Sequence, residues 1–375
     1  MSSYQELELT SITLPPNELL QQPIPYVIDD FSLALHLGIR CKTLWFCVNK
    51  RDHLYHVFSI PKANGKRRLI HNPHPVLKFV QRRVDYVFLK PLPLHPCVGA
   101  YVIGKSCKDT ASKHVGQGVR IGMDLQDFFP SHSAARIRGF FHYLGYSRFV
   151  SGLLATLCTA PFRKRDQTGD KKFTYRAPQG SPASPSLCNL IAQLALDQAV
   201  LHTFGPEGWT YTRYSDDLCL SHPADLTRKD VDDALSRMYN LIEKAGYRTN
   251  REKTKVQRRW RRQKVLGIVV NEKVSIPRDE YRRYRALLHN CLTQGWLVNA
   301  LRFGWDPVET FHAHVHGKIV YIKHIDPVKG EKLEALYAQV IEKYGTPCDE
   351  QRHQNGYVLS SEPQEEHVGP PVLQR

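Results

Sequence analysis

The sequence predicts an α+β fold built on an antiparallel sheet, and three observations point to it. Val119, Ile121 and Met123 alternate with Arg120 and Gly122, the period of two that marks a strand ending at Asp124. Thr210 to Cys219 reads as a strand, a turn and the start of another strand. Around them run segments of helical period, so the middle of the chain goes strand, helices, helix, hairpin, helix.

Taken in order, the N-terminus MSSYQELELTSITLPP lacks a basic stretch followed by an apolar one, so no secretory signal is expected. Phe31 to Leu37 reads as a helix. Lys62-Ala63-Asn64-Gly65-Lys66 is a turn signal between apolar His56-Val57-Phe58 and Leu69-Ile70, which predicts a hairpin. Val76 to Leu89 has apolar residues at 76, 77, 80, 84, 87 and 88, a helical period. Ala134 to Tyr143 and Phe149 to Thr159 are helical as well. Asn189 to Thr203 is apolar on most sides and is expected to be buried. Thr227 with Asp230 three residues on starts a helix as a capping box. Val231, Leu235, Met238 and Ile242 line one of its faces, and Gly246 closes it.

Past residue 255 the composition shifts. Arg258-Arg259-Trp260-Arg261-Arg262-Gln263-Lys264 is a dense basic run around an aromatic, and Arg278 to His289 and Glu331 to Tyr344 look helical. The expected division is therefore 1–255, a more helical and basic region over 256–345, and a polar, Pro/Gly-containing tail over 346–375. Val315 to Tyr321 reads, on its residues alone, as a strand with a glycine bulge.

At 375 residues with 42% hydrophobic and 23% charged positions, the chain can bury a core and is not wholly disordered. No apolar stretch approaches the length of a membrane span. Nine cysteines form no Cys-x-x-Cys pair, which argues against a disulfide framework or zinc ribbon and fits a reducing cytoplasm. Lys plus Arg number 52 against 36 Asp plus Glu, a net charge of +16 that points to a polyanionic partner.

The chemistry concentrates in two places. Tyr214-Ser215-Asp216-Asp217 sets adjacent carboxylates on a tight turn between apolar strands, where like charges repel and a divalent cation is the simplest stabiliser. Asp124-Leu125-Gln126-Asp127-Phe128-Phe129-Pro130-Ser131 sets another carboxylate at a strand end. If the strands are neighbours, Asp124 and Asp216 converge, and such a set can hold two hard cations for in-line phosphoryl displacement. Between them, Pro178-Gln179-Gly180-Ser181-Pro182 exposes backbone amides just before a helix, suited to nucleotide phosphates or a base pair.

In this order the motifs resemble those of reverse transcriptases, most closely the bacterial retron type. Asp124 to Ser131 resembles the first palm motif, Pro178 to Pro182 the second, and Tyr214 to Asp217 the Y-x-D-D turn, with Ser where Ala is commonest. Lys253-Thr254 resembles the lysine motif that follows. Ile60 to Ile70 resembles the basic fingers hairpin, and Leu77 to Arg82 the helix after it. The resemblance covers roughly residues 55 to 325. Two retron signals depart from pattern: Thr110-Ala111-Ser112-Lys113-His114 stands for N-A-x-x-H, and Val265-Leu266-Gly267 for V-T-G. Val315 to Tyr321 is similar to the segment that ends the family's thumb.

The resemblance implies a right-hand polymerase with fingers, an antiparallel palm and an α-helical thumb over 256–345. It implies an RNA-directed DNA polymerase (a nucleotidyltransferase) using two Mg²⁺, with Asp124, Asp216, Asp217 and Lys253 catalytic and Asp124, the Leu125 backbone, Asp216 and Asp217 on the metals. Lys62 and Arg68 would grip the incoming dNTP, Gln179 with Gly180 would meet its sugar and base pair, and Phe129 would exclude a 2′-hydroxyl. Lys66, Arg67, His114 and Arg258, Arg259, Arg261, Arg262 and Lys264 are the implied nucleic-acid contacts. The retron type further implies a cognate structured non-coding RNA as template and 2′-hydroxyl primer, a branched RNA–DNA product (msDNA), an effector protein from the same operon, antiphage defence and a bacterial cytoplasmic location without membrane contact. The alternatives are a group II intron or abortive-infection reverse transcriptase, or a non-catalytic RNA-binding protein on the same fold.

Overall fold

Alternating apolar residues give a strand one face to bury, and here four such runs from distant parts of the chain pair into a single sheet. The computed structural model describes residues 24–61, 65, 67–165, 171–305 and 308–346. Lys62, Lys66 and the expected tail from 347 onward lie outside the described residues. Two compact units are present, one within Met1–Leu266 and Val270–Lys273, the other within Gly267–Val269 and Val274–Arg375.

The first unit opens with α1 (Asp30–Leu37) and α2 (Cys41–Asn49), then a hairpin of β1 (Tyr55–Pro61) and β2 (Arg67–Pro73), then α3 (Pro75–Val84). α4 (Cys107–Ser112) leads into β3 (Val119–Asp124), followed by α5 (Ala134–Tyr143) and α6 (Arg148–Leu157). A second hairpin, β4 (Ala160–Arg165) with β5 (Lys171–Arg176), precedes α7 (Ser184–Ala192) and α8 (Gln198–Phe204). The hairpin of β6 (Thr210–Tyr214) and β7 (Asp217–His222), the helix α9 (Arg228–Lys244) and the strand β8 (Lys255–Arg258) complete it.

The central sheet has the order β6-β7-β3-β8, with every neighbour antiparallel. The expected strand at 119–124, the hairpins at 55–73 and 210–222 and the expected helices are present. α9 begins with the capping box: the Thr227 hydroxyl accepts from Asp230 N, and the Asp230 carboxylate accepts from Thr227 N. α2 and the β4–β5 hairpin go beyond the sequence reading. β8 also moves the division between units: Val119↔Arg258 to Gly122↔Lys255 pair as a ladder, so residues 255–258 are an edge strand of the sheet. The boundary falls at 266–274 instead of at 256. No single described helix is long and apolar enough to cross a membrane.

Side chains at directly opposed positions share a face of a sheet. Val119, Ile121, Met123, Leu218, Leu220 and Tyr211 therefore point one way, into a core shared with Leu187, Leu190, Leu196 and Val200 of the buried helix and Val231, Met238 and Ile242 of α9. Arg213 points the same way. Its guanidinium is completely buried and binds Asp197, itself completely buried, at 2.7 Å. Asn189 Oδ1 accepts from it at 2.7 Å, and Tyr211 donates its hydroxyl to Asp197 at 2.8 Å. The helix expected over 189–203 starts earlier, at Ser184, and is interrupted by a π turn over Gln193–Asp197. That turn ends on Asp197.

The second unit is helical: α10 (Arg278–Arg302), broken at Gly295 where φ is +80°, α11 (Val308–Ile325) and α12 (Pro327–Tyr344). Val315 to Tyr321 is part of α11, not a bulged strand. Val315, Ile319 and Ile322 recur at helical spacing and all are buried, so the 3.6-residue period overrides the local β propensity.

Breaking a buried ion pair leaves one charge uncompensated, which typically costs about 3–5 kcal/mol. Asp197→Asn should destabilise the protein by about that much in urea denaturation. The double change Asp197→Leu with Arg213→Met should cost less than either partner lost alone.

Candidate active site

On the face of the sheet opposite the core, the β3–β7 register sets Asp124 directly against Asp217. The ladder continues one step past the strands: Leu125 N donates to the carbonyl of Asp216 at 2.9 Å. Tyr214 and Asp217 pair as the closing residues of a two-residue turn. Ser215 in that turn has φ +59°, a left-handed conformation that costs a non-glycine residue about 1 kcal/mol or more. The three carboxylates expected from the sequence are thus brought together by backbone pairing.

A third segment hangs on the same strand end. Gln126 N donates to Arg248 O at 2.7 Å, and Asn250 N donates to Asp124 O at 2.9 Å. This fixes the 3₁₀ turn Arg251–Lys253 so that Lys253 Nζ lies 2.9 and 3.1 Å from the two carboxylate oxygens of Asp124. A cleft of about 420 Å³ lined by Gln126, Thr249, Asn250, Arg251 and Glu252 opens alongside.

Electrostatics mark the cluster as unbalanced. Desolvation, with the Asp124 charge adding to it, raises Asp216 above the ordinary carboxylate range. Asp217 is exposed at the end of β7. Desolvation and then the Asp216 and Asp124 carboxylates push it up to about 6. The hydrogen bond to Asp124 raises Lys253 in turn. Among the described residues no three carboxylate, imidazole or thiolate groups stand ready at metal-ligand spacing, and Lys253 engages both oxygens of Asp124. The donor set nonetheless fits a hard divalent cation: it is all oxygen, it repels itself, and the Leu125 carbonyl accepts no hydrogen bond among the described residues.

The other expected residues are distributed around this cluster. The Gln179 carbonyl accepts from His71 N of β2 at 2.9 Å, and Gly180 has φ +125°. A Cβ at Gly180 would stand 2.5 Å from the His71 carbonyl oxygen, so only glycine lets this loop lie against the strand that carries Arg68. Arg68 is exposed on β2, while Arg67 is turned back to the Ser59 hydroxyl at 2.6 Å. Phe128 is buried and stacks on Tyr247, whereas Phe129 is half-buried with its ring 6.2 Å from Tyr101.

His114 requires a correction. It was expected to touch nucleic acid, but it is completely buried and both ring nitrogens are engaged, with Ser221 and Thr212 hydroxyls each at 2.7 Å. Burial pushes its imidazole down to about 3, so it is a neutral strut across β6 and β7. The basic run is also partly structural. Arg258 donates to the Leu226 carbonyl, and Arg259 pairs with Asp225 at 3.1 Å and donates to Pro223 O. Arg259, Arg261 and Arg262 are exposed, and Lys264 is half-buried.

Sequence reasoning missed the Arg213–Asp197–Asn189 network that anchors the turn from behind. Its signal was present as an aspartate inside an otherwise apolar helix and an arginine directly before Tyr214.

Residues 60–270 match the family model described as "Reverse transcriptase (RNA-dependent DNA polymerase)". The chain is 34% identical over 320 residues to the retron Mx65 reverse transcriptase of Myxococcus xanthus, covering 83% of this chain and 71% of that one. It is 36% identical to the retron Mx162 reverse transcriptase of the same organism, covering 69% and 58%. It is 29% identical to the retron Ec86 reverse transcriptase of Escherichia coli, covering 86% and 92%.

A carboxyl whose pKa is higher in the folded than in the unfolded protein is destabilising once ionised. Its penalty is absent below the unfolded value near 3.8 and complete above about 6. In chelator, Asp217→Asn should therefore raise the melting temperature above pH 6, with the gain vanishing towards pH 4. Added Mg²⁺ should stabilise the wild type more than this variant.

Proposed function

This chain belongs to the reverse transcriptase family and, within it, to the retron type, and from that premise we propose how its RNA-directed DNA synthesis runs. The proposed substrate is part of a cognate structured non-coding RNA, copied from an internal 2′-hydroxyl to leave a branched RNA–DNA hybrid. The observation that carries the reading is the register of Asp124 against Asp217, with Asp216 tied to Leu125 and Lys253 on Asp124.

Asp124, Asp216, Asp217 and the Leu125 carbonyl would hold two Mg²⁺. When bound, these ions supply a more acidic attacking hydroxyl and neutralise charge on the leaving pyrophosphate. The chain's own residues do the rest. Lys253 sits on Asp124 with its ammonium half-exposed, and in the proposed cycle it leaves that carboxylate to meet the pyrophosphate. Gly180 holds the Gln179 loop against β2, so that Gln179 and Arg68 bound one dNTP site, with Lys62 completing the triphosphate grip. Phe129, supported by Phe128 and Tyr101, would stand where a ribose 2′-hydroxyl would go.

The net charge of +16 suits a long phosphate backbone. The second, helical unit is proposed as the thumb, with Lys66, Arg67 and the exposed arginines at 259, 261 and 262 as further RNA contacts. A bacterial cytoplasmic site, an operon-encoded effector and a role in antiphage defence complete the proposal, on the strength of the retron relatives.

Purifying the protein with its native operon and sequencing the accompanying nucleic acid, with and without RNase, tests this directly. A short DNA joined by a 2′–5′ branch to a structured RNA is expected; unbranched DNA would refute the retron priming scheme. Asp216→Asn should abolish synthesis while RNA affinity stays within about twofold, and equal loss of both would remove Asp216 from the metal site. Phe129→Ala should lower discrimination against ribonucleotides by about 10–200-fold, the range for one small group in a packed pocket. Unchanged sugar preference would remove Phe129 from the gate.

A further inference from the structure

We propose that Arg120 binds a backbone phosphate of the strand that presents the attacking hydroxyl, and that Gly122 is what lets it do so. The inference rests on the polymerase reading above and adds a residue to it.

Arg120, Gly122 and Asp124 alternate along β3 and share its solvent face. On that face Gly122 lies opposite Cys219 on one side and Lys255 on the other, and Arg120 lies opposite Ser221 and Gln257. The Arg120 side chain runs across Gly122: a Cβ there would stand 2.5 Å from both Nη1 and Nη2. Nε donates to Cys219 Sγ at 3.3 Å and Nη1 to Gln257 Oε1 at 3.2 Å. Gln257 is itself fixed, accepting from Lys264 N and donating to Arg262 O, each at 3.0 Å. Nη2 makes no hydrogen bond among the described residues. The guanidinium is thus clamped flat on the sheet with one edge of its donor fork open, the geometry that suits a phosphate.

Position supplies the second argument. Gly122 is two residues from Asp124, a distance of about 6.6 Å along a strand. That is about two steps of axial rise for a nucleic-acid strand at 3.4 Å each. A strand whose terminal hydroxyl reaches the carboxylates has a phosphate within this range. His114 closes the neighbouring part of the face by bridging Thr212 and Ser221. The part left open lies over β3 and β8, where Lys255 is exposed.

The Arg120 charge does lower Asp217 through space, but behind burial and the two neighbouring carboxylates, which raise it. Arg120 bonds to no carboxylate: its donors go to a thiol and an amide, and the ion pair at Asp124 is made by Lys253.

The test uses the full chain, a DNA primer annealed to an RNA template, and binding measured over a salt series together with Mg²⁺-dependent dNTP incorporation. Arg120→Gln should weaken binding of the primed template about tenfold. The log–log salt slope should shrink by about 0.7–0.9, the loss of one phosphate contact, with the KM for dNTP unchanged. Arg120→Lys should restore the slope. Gly122→Ala keeps every hydrogen-bonding group but displaces the guanidinium, so it should reproduce Arg120→Gln, and the double variant should add nothing. That second variant decides the matter should Arg120→Gln fold poorly. A wild-type slope in Arg120→Gln, or additive effects of the two changes, overturns the assignment. Wild-type protein that incorporates no dNTP at all would overturn the polymerase reading instead.

Discussion

Three like charges are held at one point by hydrogen bonds that carry no charge. The register of β3 against β7, extended by the Leu125–Asp216 bond, sets the positions of Asp124, Asp216 and Asp217 before any side chain interacts. Side-chain energetics then oppose the arrangement, as the raised positions of Asp216 and Asp217 record. The fold can sustain the conflict because the backbone pairing belongs to a sheet whose other face is fully packed. Lys253, carried on a turn bonded to the same strand end, relieves part of it at Asp124.

The sheet divides its labour by face. Towards the core it presents mainly apolar side chains and, completely buried among them, Arg213, whose charge is matched within the protein by Asp197. Towards solvent it presents Asp124, Asp217, Arg120 and the glycine between the first and last of the β3 residues. A buried pair of this kind contributes little net stability against an apolar replacement, but it fixes where the strand before the turn must lie relative to the helix behind it. Both faces meet at Ser215: Arg213 also reaches its carbonyl at 3.4 Å, so the strained turn is held from the core side.

Most of the sheet was legible in the sequence because its strands obey a period of two and its charged residues stand at strand ends. Convergence of Asp124 and Asp216 could be framed only conditionally, since neighbour relations between distant strands are not written in local pattern. Lys253 on Asp124 was legible as a motif but not as a contact. His114 misled because a histidine in a polar-looking stretch gives no sign that both of its nitrogens will be satisfied by hydroxyls from two other strands. Val315 to Tyr321 misled for the opposite reason: β-branched residues suggested a strand, and only their burial on one helical face shows the longer period. Arg120 was read merely as the polar half of an alternation; its importance comes from the side chain that Gly122 lacks.

The π turn at Gln193–Asp197 means that the buried helix contains one residue more than an even α-helical rise would need. Sequence length in that helix is therefore not interchangeable with physical length. Deleting a single residue within the turn would regularise the helix, and because the wide turn is what absorbs the extra residue, Val200 and Phe204 would keep their buried face. What the deletion would take away is the local bulge that ends on Asp197, the carboxylate matched to Arg213 behind the active-site turn. The surplus residue thus serves the placement of one buried charge and not the length of the helix.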